Sequence, residues 1–219
     1  MTSAPQTQAG GPPELAPLLA PLLSPAAAAS DDGAVARLAL ALSAAAQAEG
    51  ILDVAYRSVD TPLGPLLVAA TEAGLVRVAF ASEGHDAVLE LLARTISPRV
   101  LRAPRRLDPV ARELEEYFAG ARQKFDLPLD FRLATGFRLA VLAALPGIGY
   151  GHTASYAQVA QLAGSPRAVR AVGTACAKNP LPVVVPCHRV VRSDGSQGGY
   201  LGGAAAKSLL LALESAPAG

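Results

Sequence analysis

Apolar and polar positions change their period several times along the chain, and each change marks an element. From Ile51 the runs are short: Asp53 to Val59, the turn Thr61-Pro62-Leu63-Gly64-Pro65, Leu66 to Thr71, the turn Glu72-Ala73-Gly74, then Leu75 to Phe80. Three strand-like runs joined by tight turns predict an antiparallel meander. His85 to Thr95 and Asp108 to Ala119 switch to helical spacing, the second with an apolar face of Val110, Leu114, Tyr117 and Phe118. Phe137 to Leu145 is an apolar helix stopped by Pro146-Gly147. Ser155 followed by Gln158 forms a capping box that opens a helix to about Ala163, where Gly164 stops it. Ser165-Pro166 supplies an N-cap and a proline at the first helical position, so a second helix follows through Arg170, Val172 and Cys176 to Ala177. Helix, glycine turn, helix is the helix-turn-helix pattern, and it is equally the pattern of an ordinary packed hairpin. The β-branched run Val183-Val184-Val185 reads as a strand covered on both faces, ended by Pro186, and Ala204 to Ser215 as a last helix.

Before Ile51 the pattern is poorer. Residues 1–30 are rich in Pro, Ala and Gln with Glu14 as the one charge, which predicts a flexible tail. Residues 31–49 open with two acids, continue in Ala and Leu and end before Gly50, which predicts a helix with a glycine stop. The expected organisation is an N-terminal extension over 1–50, a small α+β domain with a three-stranded antiparallel sheet over 51–132, and a mainly helical, winged-helix-like domain over 133–219.

Composition narrows the chemistry. The 219 residues include two cysteines and three histidines, which make neither a disulfide framework nor a four-ligand zinc site, so a reducing compartment, no metal and no cofactor are expected. The leucine-rich stretch from Leu15 to Leu23 is broken by Pro17 and Pro21 and lacks a basic flank, so neither a signal peptide nor a membrane span is predicted, and the location is read as cytoplasmic. The net charge of +1 is unevenly spread: residues 136–219 hold seven Lys/Arg against two acids, residues 1–135 twelve against sixteen. That is the asymmetry of a chain with one half on phosphates, and chance also produces it.

The candidate nucleophile is Cys187, placed after the valine run with His188 and Arg189 beside it. Neighbouring cations lower a thiol's pKa from about 8.5 and raise the nucleophilic thiolate fraction. A core cysteine is the competing reading. Adjacent residues on an extended segment point to opposite sides, which makes a direct Cys187–His188 bond awkward. The helix ahead carries few long side chains, Arg167, Arg170 and Lys178 among Ala, Val, Gly and Thr. A slim surface suits close approach to a narrow groove, whereas base readout in the major groove needs longer polar side chains.

Residues 153–203, TASYAQVAQLAGSPRAVRAVGTACAKNPLPVVVPCHRVVRSDGSQGGYLGG, resemble the C-terminal domain of the O6-alkylguanine-DNA alkyltransferases, the methylated-DNA-[protein]-cysteine S-methyltransferases. EYFAGARQKFDLPLD (116–130) and YRSVDTPLGPLLVAATEAGLVRVAF (56–80) resemble that family's N-terminal domain, so the likeness spans about 52–216. It implies action on double-stranded DNA containing O6-alkylguanine, and on O4-alkylthymine, with the alkyl group moved irreversibly to its own Cys187 after the nucleotide is rotated out of the stack; a monomer is the default expectation.

The resemblance also assigns roles. Arg170 matches the finger that fills the vacated space, and Tyr156 the residue that crowds the phosphate and offers a proton toward guanine N3; core packing is its bland alternative. His188 matches an imidazole linked to the thiol through a water, held on its far nitrogen by Glu214, although a carboxylate near a chain end is usually solvated surface. Asn179 matches a brace of the active loop, or is a helix C-cap. Tyr200, Val190, Pro182 and Leu201 match the pocket around the guanine; Ser165, Ala171, Gly173 and Ser193 match positions against DNA. Cys176 reads as core. Leu142 stands where the family carries Trp, and Ile148-Gly149-Tyr150-Gly151 replaces Ile-Pro-Tyr-Gly, which predicts a looser loop ahead of Tyr156. Nothing resembles the four-cysteine zinc domain of some bacterial members. A binding protein for alkylated guanine, whose known relatives lack the cysteine, and a thiol hydrolase or redox enzyme are the competing classes. The second would want an oxyanion site or a resolving cysteine.

Overall fold

The computed structural model describes residues 31–50 and 52–215. The expected tail over residues 1–30 lies outside them. An 18-residue helix α1 (Asp31–Ala48) comes first. It is followed by β1 (Val54–Val59), β2 (Leu66–Thr71), β3 (Gly74–Phe80), α2 (His85–Thr95), β4 (Val100–Arg102) and α3 (Asp108–Phe118). The second half holds α4 (Gly136–Ala144), β5 (Ala154–Ser155), α5 (Tyr156–Leu162), α6 (Val169–Ala177), β6 (Val190–Val191) and α7 (Gly203–Ser215). The architecture is α+β, a sheet half followed by a helical half.

The expected three-stranded sheet has a fourth strand. Its order is β3-β2-β1-β4, with the meander antiparallel and β4 parallel to β1 in the register Val54↔Val100 to Tyr56↔Arg102. Three residues that include an arginine leave no alternation to detect, so β4 exists through pairing and not through propensity. Side chains on β2 and β3 are buried on both faces. Leu67, Ala69, Val76 and Ala79 pack under α2 with Val88 and Leu92, while Leu66, Val68, Ala70, Leu75, Val78 and Phe80 face the core shared with the helical half. The edge of β3 is covered by chain from elsewhere: Leu75 donates to Pro128 O at 2.8 Å, and Val78 donates to Pro180 O at 2.8 Å. Gly74 permits the first contact, since a Cβ there would lie 2.2 Å from Pro128 O.

In the helical half the capping box forms as expected, with Gln158 N on Ser155 Oγ at 3.2 Å and Ser155 N on Gln158 Oε1 at 2.7 Å. The next helix starts later than the Ser165-Pro166 pair predicts. Ala168 N bonds Ser165 O at 2.9 Å, which makes 165–168 a turn, and α6 begins at Val169. Ser-Pro opens a β-turn as readily as a helix, because proline sets the φ that position i+1 of the turn requires.

The valine run is not a strand. Residues 181–185 form a buried turn in which Val185 N bonds Leu181 O at 2.8 Å, and Cys187–Arg189 is a 3-10 turn. Continuous apolar character reports burial on all sides and does not distinguish a strand from a buried turn, and the prolines at 182 and 186 remove the donors a ladder would use. Val183 has φ 72°, a left-handed conformation rare for a β-branched residue, so this turn holds strain that its surroundings must impose. No helix among the described residues is long and apolar enough to cross a membrane.

Candidate active site

Cys187, His188 and Arg189 sit on the 3-10 turn between the valine loop and β6, all buried. The turn geometry removes the premise that Cys187 and His188 lie on an extended strand. Asn179 ties the turn to the end of α6. Its Nδ2 donates to Val185 O at 2.9 Å and to Cys187 Sγ at 3.2 Å, and its Oδ1 accepts from Leu181 N at 2.9 Å. The helix C-cap is Lys178, so the side chain of Asn179 serves the loop.

Glu214 reaches the turn from the last part of α7. Its Oε1 lies 2.9 Å from His188 Nε2 and accepts from Arg189 Nη2 at 2.9 Å and from the Tyr117 hydroxyl at 2.7 Å. Its Oε2 accepts from Arg189 Nε at 2.9 Å and from the Gly151 amide at 3.4 Å. Burial pushes Glu214 up, but the bonds from His188, Arg189 and Tyr117 outweigh it and hold the carboxyl at about 2. A carboxylate on Nε2 fixes the proton there, which leaves Nδ1 as an acceptor. Nδ1 is buried and has no hydrogen-bond partner in the protein. Burial also lowers the pKa of His188 against the opposing pull of Glu214, so the imidazole is neutral at pH 7.

The thiol does not behave as its neighbours in sequence suggest. Burial pushes Cys187 up to about 11, partly offset by the Asn179 hydrogen bond and the Lys207 ammonium. Arg189 is engaged by Glu214 and by Ile148 O at 2.5 Å, which leaves its charge neutralised and the sequence argument for a lowered pKa overturned. The nearby cation is instead Lys207 on α7, fully buried with Nζ on Val190 O at 2.6 Å. Lys207, Leu210 and Glu214 recur at helical spacing on the buried side of an Ala/Leu-rich helix, and two charges on such a stripe are the signal that marks them.

Two aromatic residues flank this centre. The Tyr156 ring packs between α6 and the glycine loop: a Cβ on Gly173 would lie 3.8 Å from it, and one on Gly198 only 2.2 Å from its hydroxyl. Tyr200 stands edge-on to His188 with centroids 6.3 Å apart and edge-on to Phe80 of β3 at 5.8 Å. Its hydroxyl is buried with no hydrogen-bond partner. Pro182 and Val190 are buried beside the turn, and Leu201 is half-buried. Cys176 is core, its thiol pushed up to about 12 by burial.

The outer face of α6 presents Arg170, Ala171, Thr174, Ala177 and Lys178 to solvent, while Val172, Ala175 and Cys176 are buried. Ser165 is half-buried in the preceding turn, and Ser193 is exposed on the loop after β6. Of the seven cations in this half, Arg167, Arg170, Lys178 and Arg192 are exposed; Arg189 and Lys207 are inside. The loop at 148–151 is held more firmly than its missing proline suggests, by Arg189 on Ile148 O and by the Tyr150 hydroxyl on Leu213 O at 3.2 Å.

Comparison with known proteins identifies the family. Residues 54–131 match the ribonuclease-like domain of 6-O-methylguanine DNA methyltransferase, and residues 136–216 match its DNA binding domain. A methylated-DNA–protein-cysteine methyltransferase of Methanosarcina barkeri is 40% identical over 159 residues, 73% of this chain and 96% of that protein. The chain belongs to the 6-O-methylguanine DNA methyltransferase family. The crystal structure of the Mycobacterium tuberculosis O6-methylguanine methyltransferase superposes with a TM-score of 0.64 at 38% identity, covering 76% of this chain and 96% of that one. A structure of the same organism's OGT in complex with DNA gives 0.63 at 36% identity, covering 74% and 92%. The methyltransferase matches take in both the sheet half, with Tyr117, and the helical half, with the cysteine turn and Glu214.

Proposed function

We propose that the protein repairs DNA by moving a methyl or larger alkyl group from guanine O6, and from thymine O4, to its own Cys187, once per molecule. The observation that carries this reading is the Cys187–Asn179–His188–Glu214 cluster, in which a buried thiol adjoins a neutral imidazole whose Nδ1 is a free acceptor. The thiol proton passes through a bridging water to Nδ1, and the imidazolium so formed is balanced by the Glu214 carboxylate. Asn179 and Lys207 stabilise the thiolate. Its sulfur attacks the alkyl carbon, the carbon–O6 bond breaks, and the guanine leaves with the electron pair. A thioether then occupies the sulfur, and the stability of its carbon–sulfur bonds makes the transfer irreversible.

A guanine inside a duplex cannot bring O6 to a buried sulfur, so it is rotated out at a cost of a few kcal/mol. In this reading α5, the 163–168 turn and α6 act as a helix-turn-helix, with the slim face of α6 against the groove and Arg170 in the space the base vacates. Ser165, Ala171, Gly173 and Ser193 lie along the DNA. Tyr156 hydrogen-bonds guanine N3, and Tyr200, Val190, Pro182 and Leu201 enclose the base once the 198–203 loop shifts. Burial raises the pKa of Tyr156, which suits a hydroxyl that donates and keeps its proton until charge develops on the leaving base.

A duplex carrying labelled methyl on guanine O6 tests the proposal. One label per protein, located on Cys187 by peptide mass and absent from Cys187→Ser, is the expected result. Turnover beyond one equivalent, or no transfer, overturns it.

A further inference from the structure

One buried contact spans the two halves of the molecule. Tyr117 lies on α3, in the sheet half, and is fully buried. Its hydroxyl donates to Glu214 Oε1, the same oxygen that meets His188 Nε2 and Arg189 Nη2. Its ring is fixed on three sides, by Phe118 at 5.3 Å, Phe125 at 5.1 Å and Tyr150 at 6.2 Å. The hydroxyl therefore has one direction available and one partner in it.

We propose that Tyr117 is a positioning residue for alkyl transfer: its hydroxyl fixes the Glu214 oxygen that orients His188 and withdraws basicity from it. The inference rests on the reading of Cys187 as the acceptor of the alkyl group. The physical argument is one of shared lone pairs. A carboxylate oxygen that accepts three hydrogen bonds attracts the imidazole proton less than one that accepts two. Glu214 then holds the imidazole in place without drawing it toward the imidazolium form, and Nδ1 stays free to receive a proton near neutral pH. Tyr117 itself cannot titrate in this range, because burial and the adjoining carboxylate push its hydroxyl far up.

The other titratable groups that act on Tyr117, Glu214 and His188 are Arg189 on the active turn, Lys207 on α7, Tyr150 ahead of β5 and Tyr200 ahead of α7. None of these is altered when Tyr117 becomes Phe, which keeps the ring packing and deletes the donor. The sign of the effect follows. With one donor fewer, Glu214 accepts more strongly from Nε2, the imidazolium form gains, and the pKa of His188 rises. The acid limb of the alkyl-transfer rate then moves to higher pH, by about half a unit, or roughly threefold in neutral imidazole below the limb.

The test is the single-turnover rate on methylated duplex from acid to alkaline pH, for the full chain. Tyr117→Phe is expected to move the acid limb up, and site-specific 3-fluorotyrosine at 117, a stronger donor in the same packing, to move it down. Phe125→Leu removes a ring contact from Tyr117 without touching its hydroxyl, and should lower thermal stability with the limb in place. Tyr117→Phe with an unmoved limb overturns the proposal, as does Phe125→Leu shifting the limb equally. Failure of the wild-type chain to take up methyl at Cys187 would instead overturn the proposed function, so the two failures are distinct.

Discussion

The centre around Glu214, which draws Tyr117 from the sheet half, and the outer face of α6 are built on opposite principles. Around Glu214, four side chains from three separate segments converge with almost every polar atom engaged, and His188 Nδ1 is the exception. The face of α6 is made of small side chains with Arg170 and Lys178 standing free in solvent. Buried polar networks lose a great deal when one member is removed, because the others are left desolvated without a partner. Exposed residues lose little, and their effect appears only when something binds. Under the proposed function, stability and alkyl transfer share residues at the first region, whereas at the second they separate.

Glu214→Ala should produce the largest change. It leaves Arg189 buried without its carboxylate, at a cost of roughly 3–5 kcal/mol, and denaturant unfolding would show it. If the loss is below about 1 kcal/mol, the centre is not the network described. The same carboxylate predicts acid sensitivity with a definite sign. Its folded pKa of about 2 lies below the ordinary 4.5, so its stabilisation is present above that ordinary value and fades as pH falls from there toward 2. His188, with a folded pKa below 6.5, works in the same direction from a higher pH, since the unfolded chain takes up its proton first.

Arg170→Ala comes next and should break the comparison the other way. Unfolding free energy is expected to stay within about 0.5 kcal/mol of the parent. Reaction with a free O6-alkylated base should be unchanged, while the rate on duplex falls by roughly 100-fold, in keeping with a flipping cost of a few kcal/mol. Equal losses on base and duplex would contradict the finger role.

A smaller effect should follow reaction itself. Cys187 is about 2% exposed, so a methyl on its sulfur must be accommodated within the core. Overpacking of this kind costs about 1–3 kcal/mol, or a few degrees of melting temperature for a chain of this length. Scanning calorimetry of fresh and reacted protein would detect it, and an unchanged or raised melting point would show that the site already holds space for the group.

How far the residues themselves announced all this depends on the range of each contact. The meander, α2, α3 and the capping box at Ser155 were legible because period, turn chemistry and capping act within a few residues. The strand β4 was not, since its pairing with β1 is the only thing that makes it a strand. The valine run misled because an apolar stretch reports burial without reporting direction. Cys187 stood out from its own surroundings, but the expected cause of its reactivity failed: Arg189 is turned away to Glu214, and burial dominates the thiol. Glu214 and Asn179 entered through resemblance to a family and not through any local pattern. Tyr117 appeared only as an apolar position on the face of α3. Its polar end meets a partner 97 residues away, which no window along the chain contains. Lys207 left a trace, a single cation on the greasy side of α7, and it went unread.

A protein that reacts once, as proposed for this chain, must also avoid reacting by accident. Soluble electrophiles and oxidants meet thiolates in proportion to exposure and ionisation. Cys187 offers little of either, shielded from solvent and with a pKa of about 11. If Cys187 accepts the alkyl group as proposed, the dry, protonated thiol keeps the unused molecule from reacting with soluble alkylating agents. The same proposal requires that a substrate displace the loop at Tyr200 and enter the site before the thiol is spent.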